Sequence, residues 1–243
     1  MIDDHRIESY VPLLARYWDT TESKLTAHLG EIRSDRKFLD SINASIRGVA
    51  DFGGKQFTDV AEMRVYRTLL YLATRVRRPE IFIETGVQNG MGTAFILLGL
   101  EHNGAGRLIS VDLPPVDQRI LDQGTRPLPA GKTPGWLVPD YLRARHDLRL
   151  GKAQVLLPQV LAEQGRVDIF LHDSDHDYAH LMFEVCLAWG YLKPGGSIIV
   201  DNIEQGSAFA DFSRGVEAQH FIVSTFDNPQ RTWQHGVVLK AGF

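Results

Sequence analysis

Residues 81–92, IFIETGVQNGMG, decide how the rest of the chain is read. The apolar run from Ile81 has the length and residue types of a buried strand. Gly86, Gly90 and Gly92 then mark a turn, and Thr93 to Leu100 reads as a helix. Glycine lets the backbone turn tightly and approach a ligand closely, while the start of the next helix offers N–H groups without intrahelical partners. A strand, glycine turn and helix in this order begin a nucleotide-type site in an α/β fold. A dinucleotide fingerprint requires G-x-G-x-x-G, and glycines at 86, 90 and 92 do not supply it, which disfavours a nicotinamide oxidoreductase.

Upstream, Asp59 to Val76 carries Val60, Met63, Leu69, Leu70, Leu72 and Ala73 at spacings that suit a helix packed on a sheet. Residues 1–50 have helix-like patches and no chemistry-bearing motif, and are expected to form a helical N-terminal cap on a domain spanning 51–243, with possible homo-oligomer contacts through these helices. Downstream, LISVD (108–112) reads as a second strand. Asp112 stands at its end, where an acid can accept hydrogen bonds from both hydroxyls of a ribose. Pro114 to Asp140 holds six prolines, which argue against regular structure and predict a lid loop over 114–140. Tyr141 to Arg145 suggests a short helix, and a third strand is expected within Leu148 to Leu157. Val167 to Leu171 is a short apolar strand that delivers HDSDHDYAH (172–180), followed by a helix over Tyr178 to Trp189. LKPGG (192–196) reads as the turn before a buried strand, Ser197 to Val200, which ends in Asp201 and Asn202. AFADF (208–212) looks helical, and HFIVST (220–225) with His235 to Lys240 suggests a closing hairpin. The sum is a Rossmann-like α/β fold with a seven-stranded mixed sheet and helices on both faces.

Composition narrows the class. The 243 residues are 44% apolar, enough for one sizeable core, and carry 26 basic against 30 acidic residues. A formal charge of -4 gives no field favouring nucleic acid or an anionic membrane. The one cysteine, Cys186, excludes an intrachain disulfide, and its apolar setting predicts an inert core thiol. No apolar run reaches the ~18 residues of a membrane span, and the acidic, polar start is unlike a signal peptide, so a cytoplasmic protein with no membrane partner is expected.

Two distant clusters should meet at the carboxyl edge of the sheet, where open α/β folds bind ligands. Asp173 follows one central strand, and Asp201 with Asn202 ends the next. Two carboxylates and an amide oxygen make a hard oxygen site suited to Mg2+ and tolerant of Mn2+ or Ca2+. The alternative reading makes Asp173 a cofactor ligand or helix cap and Asp201 and Asn202 turn caps. Asp175 and His176 are candidate general bases. Each also has a structural reading, Asp175 as a cap of the following helix and His176 as an orienting partner of a carboxylate.

The glycine turn with its acidic strand end resembles that of class I S-adenosylmethionine (SAM) methyltransferases. The pairing of Asp173 with Asp201 and Asn202 resembles metal-dependent catechol and caffeoyl-CoA O-methyltransferases. HDSDHDYAHLMFE with LKPGGSIIVDN is similar to a bacterial group that embraces macrolide and aminocoumarin sugar O-methyltransferases and proteins labelled cephalosporin hydroxylase-like. The likeness spans residues 80–205. It implies that Glu84 supports the methionine end of SAM, that Gly86 passes close to it, and that Gln88, Asn89 and Gly90 line the pocket. It places Asp112 on the ribose, Ala153 of the GKA segment near the adenine, and Asp173, Asp201 and Asn202 on the metal, with Asp173 also within reach of the cofactor. Lys152 departs from the acid common at its place, and Asn202 from the second acid of many relatives. The implied reaction is transfer of a methyl group to a hydroxyl of a small polyhydroxylated acceptor. Alternatives are a SAM-binding protein without turnover or a metal-independent N-methyltransferase.

Overall fold

The strand that opens the decisive stretch, β1 (Ile81–Thr85), lies inside the sheet, hydrogen-bonded in parallel to β2 (Arg107–Asp112) on one side and β4 (Val167–His172) on the other. The computed structural model describes residues 6–113, 128–228 and 231–242. Seven strands form one sheet in the order β3-β2-β1-β4-β5-β7-β6, with β3 at His146–Leu150, β5 at Leu192–Val200, β6 at Gln219–Asn228 and β7 at Arg231–Leu239. β7 runs antiparallel to both neighbours, and the other pairings are parallel. This is the class I methyltransferase-like α/β fold, and the order reverses between β1 and β4, the place where such sheets open a crevice for ligands.

Alternation along β1 builds two cores. Phe82 points into one and Ile83 into the other, both fully buried. On the Phe82 side lie α4 (Val65–Arg77) and α5 (Met91–Asn103), joined by the N-terminal helices α1 (Val11–Tyr17), α2 (Glu22–Ser34) and α3 (Arg36–Ile46). On the Ile83 side lie α6 (Ala153–Gln164), α7 (Tyr178–Tyr191) and α8 (Ala208–Gly215). The N-terminal helices share the first core. Leu25, Ile32, Phe38 and Ile42 are fully buried, the Phe38 ring meets Phe95 of α5 edge-on at 5.1 Å, and the buried Tyr10 hydroxyl donates to Ser224 O while accepting from Ser224 N on β6. Thr21 and Asp35 cap α2 and α3 by accepting backbone N–H groups. No helix of the described residues is long and apolar enough to cross a membrane.

The structure corrects several boundaries. The third strand is His146–Leu150, and the apolar residues after it belong to α6, whose Leu157, Val160 and Leu161 are buried at helical spacing. LKPGG is not a turn before β5 but part of it, accommodated by a register shift after Val167 and by a positive φ at Gly195. The helix expected over 59–76 breaks at Arg64, which has φ 68°, into a single turn at Val60–Glu62 and α4. Cys186 is exposed on α7, because the inner positions of that helix are 181, 184, 185 and 188. Of the expected lid, residues 114–127 lie outside the described residues.

Gly86 marks where two loops touch. A Cβ there would fall 2.0 Å from the backbone oxygen of Asp173, and its φ of 86° already disfavours a side chain. Gly104, which ends α5 with φ 68°, has open space around it. Gly104→Ala therefore isolates the backbone cost, about 1 kcal/mol, whereas Gly86→Ala adds a backbone collision and costs roughly 3 kcal/mol or more. Urea denaturation of the two variants against the wild type measures that difference.

Candidate active site at the carboxyl edge of the sheet

The turn after β1 is held by backbone and carboxylate together. Gly86 N donates to Val111 O, and Asp112 accepts from Gln88 N at 2.9 Å and Leu113 N at 2.8 Å. Burial raises the Asp112 carboxyl, opposed by these backbone donors. Asn89 accepts from the Trp136 indole at 2.6 Å, and the carbonyls of Gln88 and Asn89 accept from Gly135 N and Leu137 N. Residues 135–138, the described end of the proline-rich stretch, thus form a wall fixed to the turn, with Leu137 and Val138 buried. Gly90 caps α5 at φ 83°, its α-carbon so close to this wall that a Cβ would lie 2.6 Å from Gly135 Cα. Ala153 is the first residue of α6, and Gly151 N donates to Asp112 O, so the GKA segment lies beside the Asp112 strand end.

Glu84 lies near the end of β1, and its carboxylate turns inward. It is 1% exposed beneath the turn and accepts from the Thr93 hydroxyl at 3.0 Å and the Ser110 hydroxyl at 2.7 Å, not from the turn's N–H groups. Burial raises its pKa to about 7, against the lowering effect of those two hydroxyls.

Across the reversal point, β4 and β5 pair with His172 opposite Val200, so Asp173 and Asp201 leave adjacent strands side by side. Ligand atoms of Asp173, His176 and Asp201 lie within 4.8 Å of one another. The Tyr66 hydroxyl of α4 donates to Asp173 Oδ2 at 3.3 Å, and the Tyr66 ring stacks on His235 of β7 at 4.2 Å and 17°. His235 Nδ1 lies 2.5 Å from Asp201 Oδ1, without hydrogen-bond alignment. Burial and the neighbouring Asp201 raise the Asp173 carboxyl well above the usual range. Burial acts on Asp201 too, but the His235 ring outweighs it and lowers that carboxyl. Ligand atoms from two adjacent acids and the imidazole of His176, gathered within 4.8 Å with the charge of Asp173 little compensated, fit a bound cation.

Asn202, the expected third metal ligand, turns at φ 52°, and its side-chain amide is hydrogen-bonded to His176 Nε2 at 3.1 Å. Burial, then the neighbouring His172, lowers the His176 pKa. Asp175 is exposed and accepts from Asp177 N, and the helix cap assigned to it belongs to Asp177, which accepts from Ala179 N and His180 N. His176 and Asn202 also border a cavity of about 180 Å3 with Tyr178, Leu181, Ile203 and Phe209 in its wall. Sequence reading missed Tyr66 and His235. Their signal was faint: Tyr66 sits in an apolar helix face, whereas His235 occupies an inward position in step with Val237.

Residues 83–203 match a family model described as a methyltransferase domain. Among solved structures, the O-methyltransferase TomG from Streptomyces achromogenes, involved in tomaymycin synthesis and bound to SAM, is similar with TM-score 0.58 and 15% identity over 90% of this chain and 96% of that one. An O-methyltransferase from Bacillus cereus in complex with S-adenosylhomocysteine (SAH) gives TM-score 0.54 and 15% identity over 99% and 100%. The SAH-bound Podospora anserina methyltransferase PaMTH1 gives 0.54 and 14% over 90% and 94%. At these identities the likeness concerns the fold. No curated protein sequence matches the chain.

Glu84 makes stability depend on pH in a defined direction. Its folded pKa, about 7, lies above the 4.5 of the unfolded chain, so the folded state binds the extra proton and stability falls as pH rises between those values. Glu84→Gln keeps an oxygen acceptor for Thr93 and Ser110 and removes the titration. The stability difference between variant and wild type, measured by urea denaturation, is expected to move in the variant's favour by about 3 kcal/mol between pH 4.5 and 7.5.

Proposed function

Because the chain is an S-adenosylmethionine-dependent methyltransferase of the class I fold, we propose that it methylates a hydroxyl of a small polyhydroxylated acceptor, assisted by a divalent cation. The observation that carries this reading is the convergence of Asp173, His176 and Asp201 at the strand ends beside the glycine turn. The TomG and Bacillus cereus proteins, similar in fold, are O-methyltransferases, which supports an oxygen acceptor.

On this reading the donor lies on the Gly86–Asp112 side, with Gln88, Asn89, Gly90 and Ala153 around it. Asp112 receives the ribose hydroxyls, and Glu84, being buried, acts on the donor through the turn it supports. Asp173, His176 and Asp201 would hold the cation. Carboxylates suit Mg2+ and Mn2+, and an imidazole in the set favours Mn2+ of the two. When bound, the cation lowers the pKa of an acceptor hydroxyl and orients it. The cavity beside His176 and Asn202 accommodates about one ring, its apolar wall of Leu181, Ile203 and Phe209 set against the polar groups. In-line transfer would require an acceptor seated there to present its oxygen to the sulfonium methyl. The new C–O bond forms as the C–S bond breaks, its electron pair stays on sulfur to give SAH, and the hydroxyl proton passes to Asp175, an exposed carboxylate next in the chain to His176 of the cavity wall.

The Asn202–His176 hydrogen bond favours a second assignment, with Asn202 as the oxygen ligand and His176 as the base. The two assignments part in one experiment. If His176 is a ligand, His176→Ala abolishes Mn2+ binding followed by electron paramagnetic resonance. If it is the base, Mn2+ binding persists and turnover falls roughly 100-fold or more. In either case Asp201→Ala is expected to lower turnover by roughly 100-fold and remove its response to Mn2+ or Mg2+, with calorimetric SAM affinity retained. Normal cation-dependent turnover in Asp201→Ala rejects the cation site.

A further inference from the structure

Glu184 lies on the inner face of α7 beside Leu181, Val185 and Ala188, with no exposed surface. A buried acid at a core position is costly unless its oxygens are bonded, and here every bond leads to the site. His172 Nδ1 donates to Glu184 Oε2 at 2.6 Å, His180 Nε2 bonds Oε1 at 2.8 Å, the Ser174 hydroxyl donates at 3.1 Å, and the Thr85 hydroxyl also donates to Oε2. Burial opposes ionisation, yet the bonds from His172 and His180 outweigh it and bring the carboxyl to about 2.

The partners belong to different elements. Thr85 ends β1, His172 ends β4, Ser174 follows Asp173, and His180 opens α7 and bonds Gln154 of α6 through its other nitrogen at 2.9 Å. One carboxylate therefore ties both strands at the reversal point to two helix starts. His172 Nδ1 must carry a proton to reach Glu184, and its buried Nε2 has no hydrogen-bond partner among the described residues. A hydrogen on Nδ1 and a bare lone pair on Nε2 suit that placement, because a lone pair is cheaper to bury than an unpaired N–H. The His172 ring in turn stands edge-on to His176 at 5.6 Å.

We infer that Glu184 is a positioning residue for the reaction: by gripping His172, Ser174 and Thr85 from beneath, it fixes the 172–176 segment so that Asp173 and His176 face Asp201. The effect on cation binding rests on the reading under Proposed function. Asp112 and the glycine turn are not bonded to Glu184, so the donor side depends on it less.

The test compares full-length Glu184→Gln with Val185→Ala, a core substitution on the same helix that lowers stability without touching the network. Glu184→Gln is expected to weaken Mn2+ binding, measured by electron paramagnetic resonance, at least tenfold, while calorimetric SAM affinity changes less than threefold. Val185→Ala is expected to leave both within threefold. Equal losses of Mn2+ and SAM binding in the two variants, or unchanged Mn2+ binding in Glu184→Gln, overturn the inference. If the wild type itself binds no Mn2+, the cation reading fails and imidazole nitrogen NMR decides the role of Glu184. Loss of a uniform His172 Nδ1–H signal in Glu184→Gln, with its retention in Val185→Ala, sustains the positioning role; a His172 signal unchanged in Glu184→Gln rejects it.

Discussion

Across the carboxyl edge of the sheet, β3, β1, β4 and β5 each hand a neighbour one hydrogen bond beyond their own ends. Gly151 N donates to Asp112 O, Gly86 N to Val111 O, Asp173 N to Thr85 O and Asp201 N to His172 O, all at 2.9 Å. These last rungs are continuations of the parallel ladder, and every one has a candidate site residue in it or beside it. Parallel pairing makes this possible, because it brings all its strands to an end on the same side. Loops that leave such an edge begin in register. Asp173 and Asp201 are neighbours in space for this reason, although 28 positions apart in the chain, and Gly86 meets the Asp173 carbonyl for the same reason.

Ladder geometry alone would crowd several acids into little solvent, and the structure handles each by a separate means. Asp112 receives backbone N–H groups, Glu84 receives two hydroxyls and is pushed towards its neutral form, and Asp201 lies against His235. Glu184, most deeply placed, has two histidines and two hydroxyls. Among the described residues, Asp173 has only the Tyr66 hydroxyl at 3.3 Å and a neighbouring carboxylate. It is the least compensated of the set, and for that reason the proposed function assigns the cation beside it and not beside Asp112.

What was legible in the sequence follows from how local each signal is. Phe82 and Ile83 in an unbroken apolar run identify a strand buried on both faces, and glycines 86 and 90 identify the turn because no other residue tolerates its φ values and contacts so readily. Asp112, Asp173 and Asp201 were readable as acids at strand ends. Leu148 to Leu157 was not separable into strand and helix, because a short apolar run carries no period long enough to distinguish them. The partner of His176 was illegible too, since an Asn in left-handed conformation re-aims its side chain. Tyr66, Glu184 and His235 act across the sheet or from beneath it, on helix and strand faces where a polar residue resembles an interruption of the apolar pattern until its partner is known.

Under the proposed function, the uneven treatment of these acids has a chemical consequence. The sulfonium of the donor is positive before transfer and its sulfur is neutral afterwards, so its charge is already fading in the transition state. Full negative charge close to the sulfur stabilises the starting state more than the transition state, and slows the step even as it tightens binding. An acid beneath the turn with a pKa of about 7 carries less charge at neutral pH than an ordinary carboxylate. Charge is better placed where it grows, on the acceptor side, as the hydroxyl gives up its proton. Asp173 and Asp201 lie there, and their own negative charge would oppose an oxyanion unless a cation stood between. The arrangement makes chemical sense only if the two acids act through what they bind, with the histidines and Tyr66 fixing their direction.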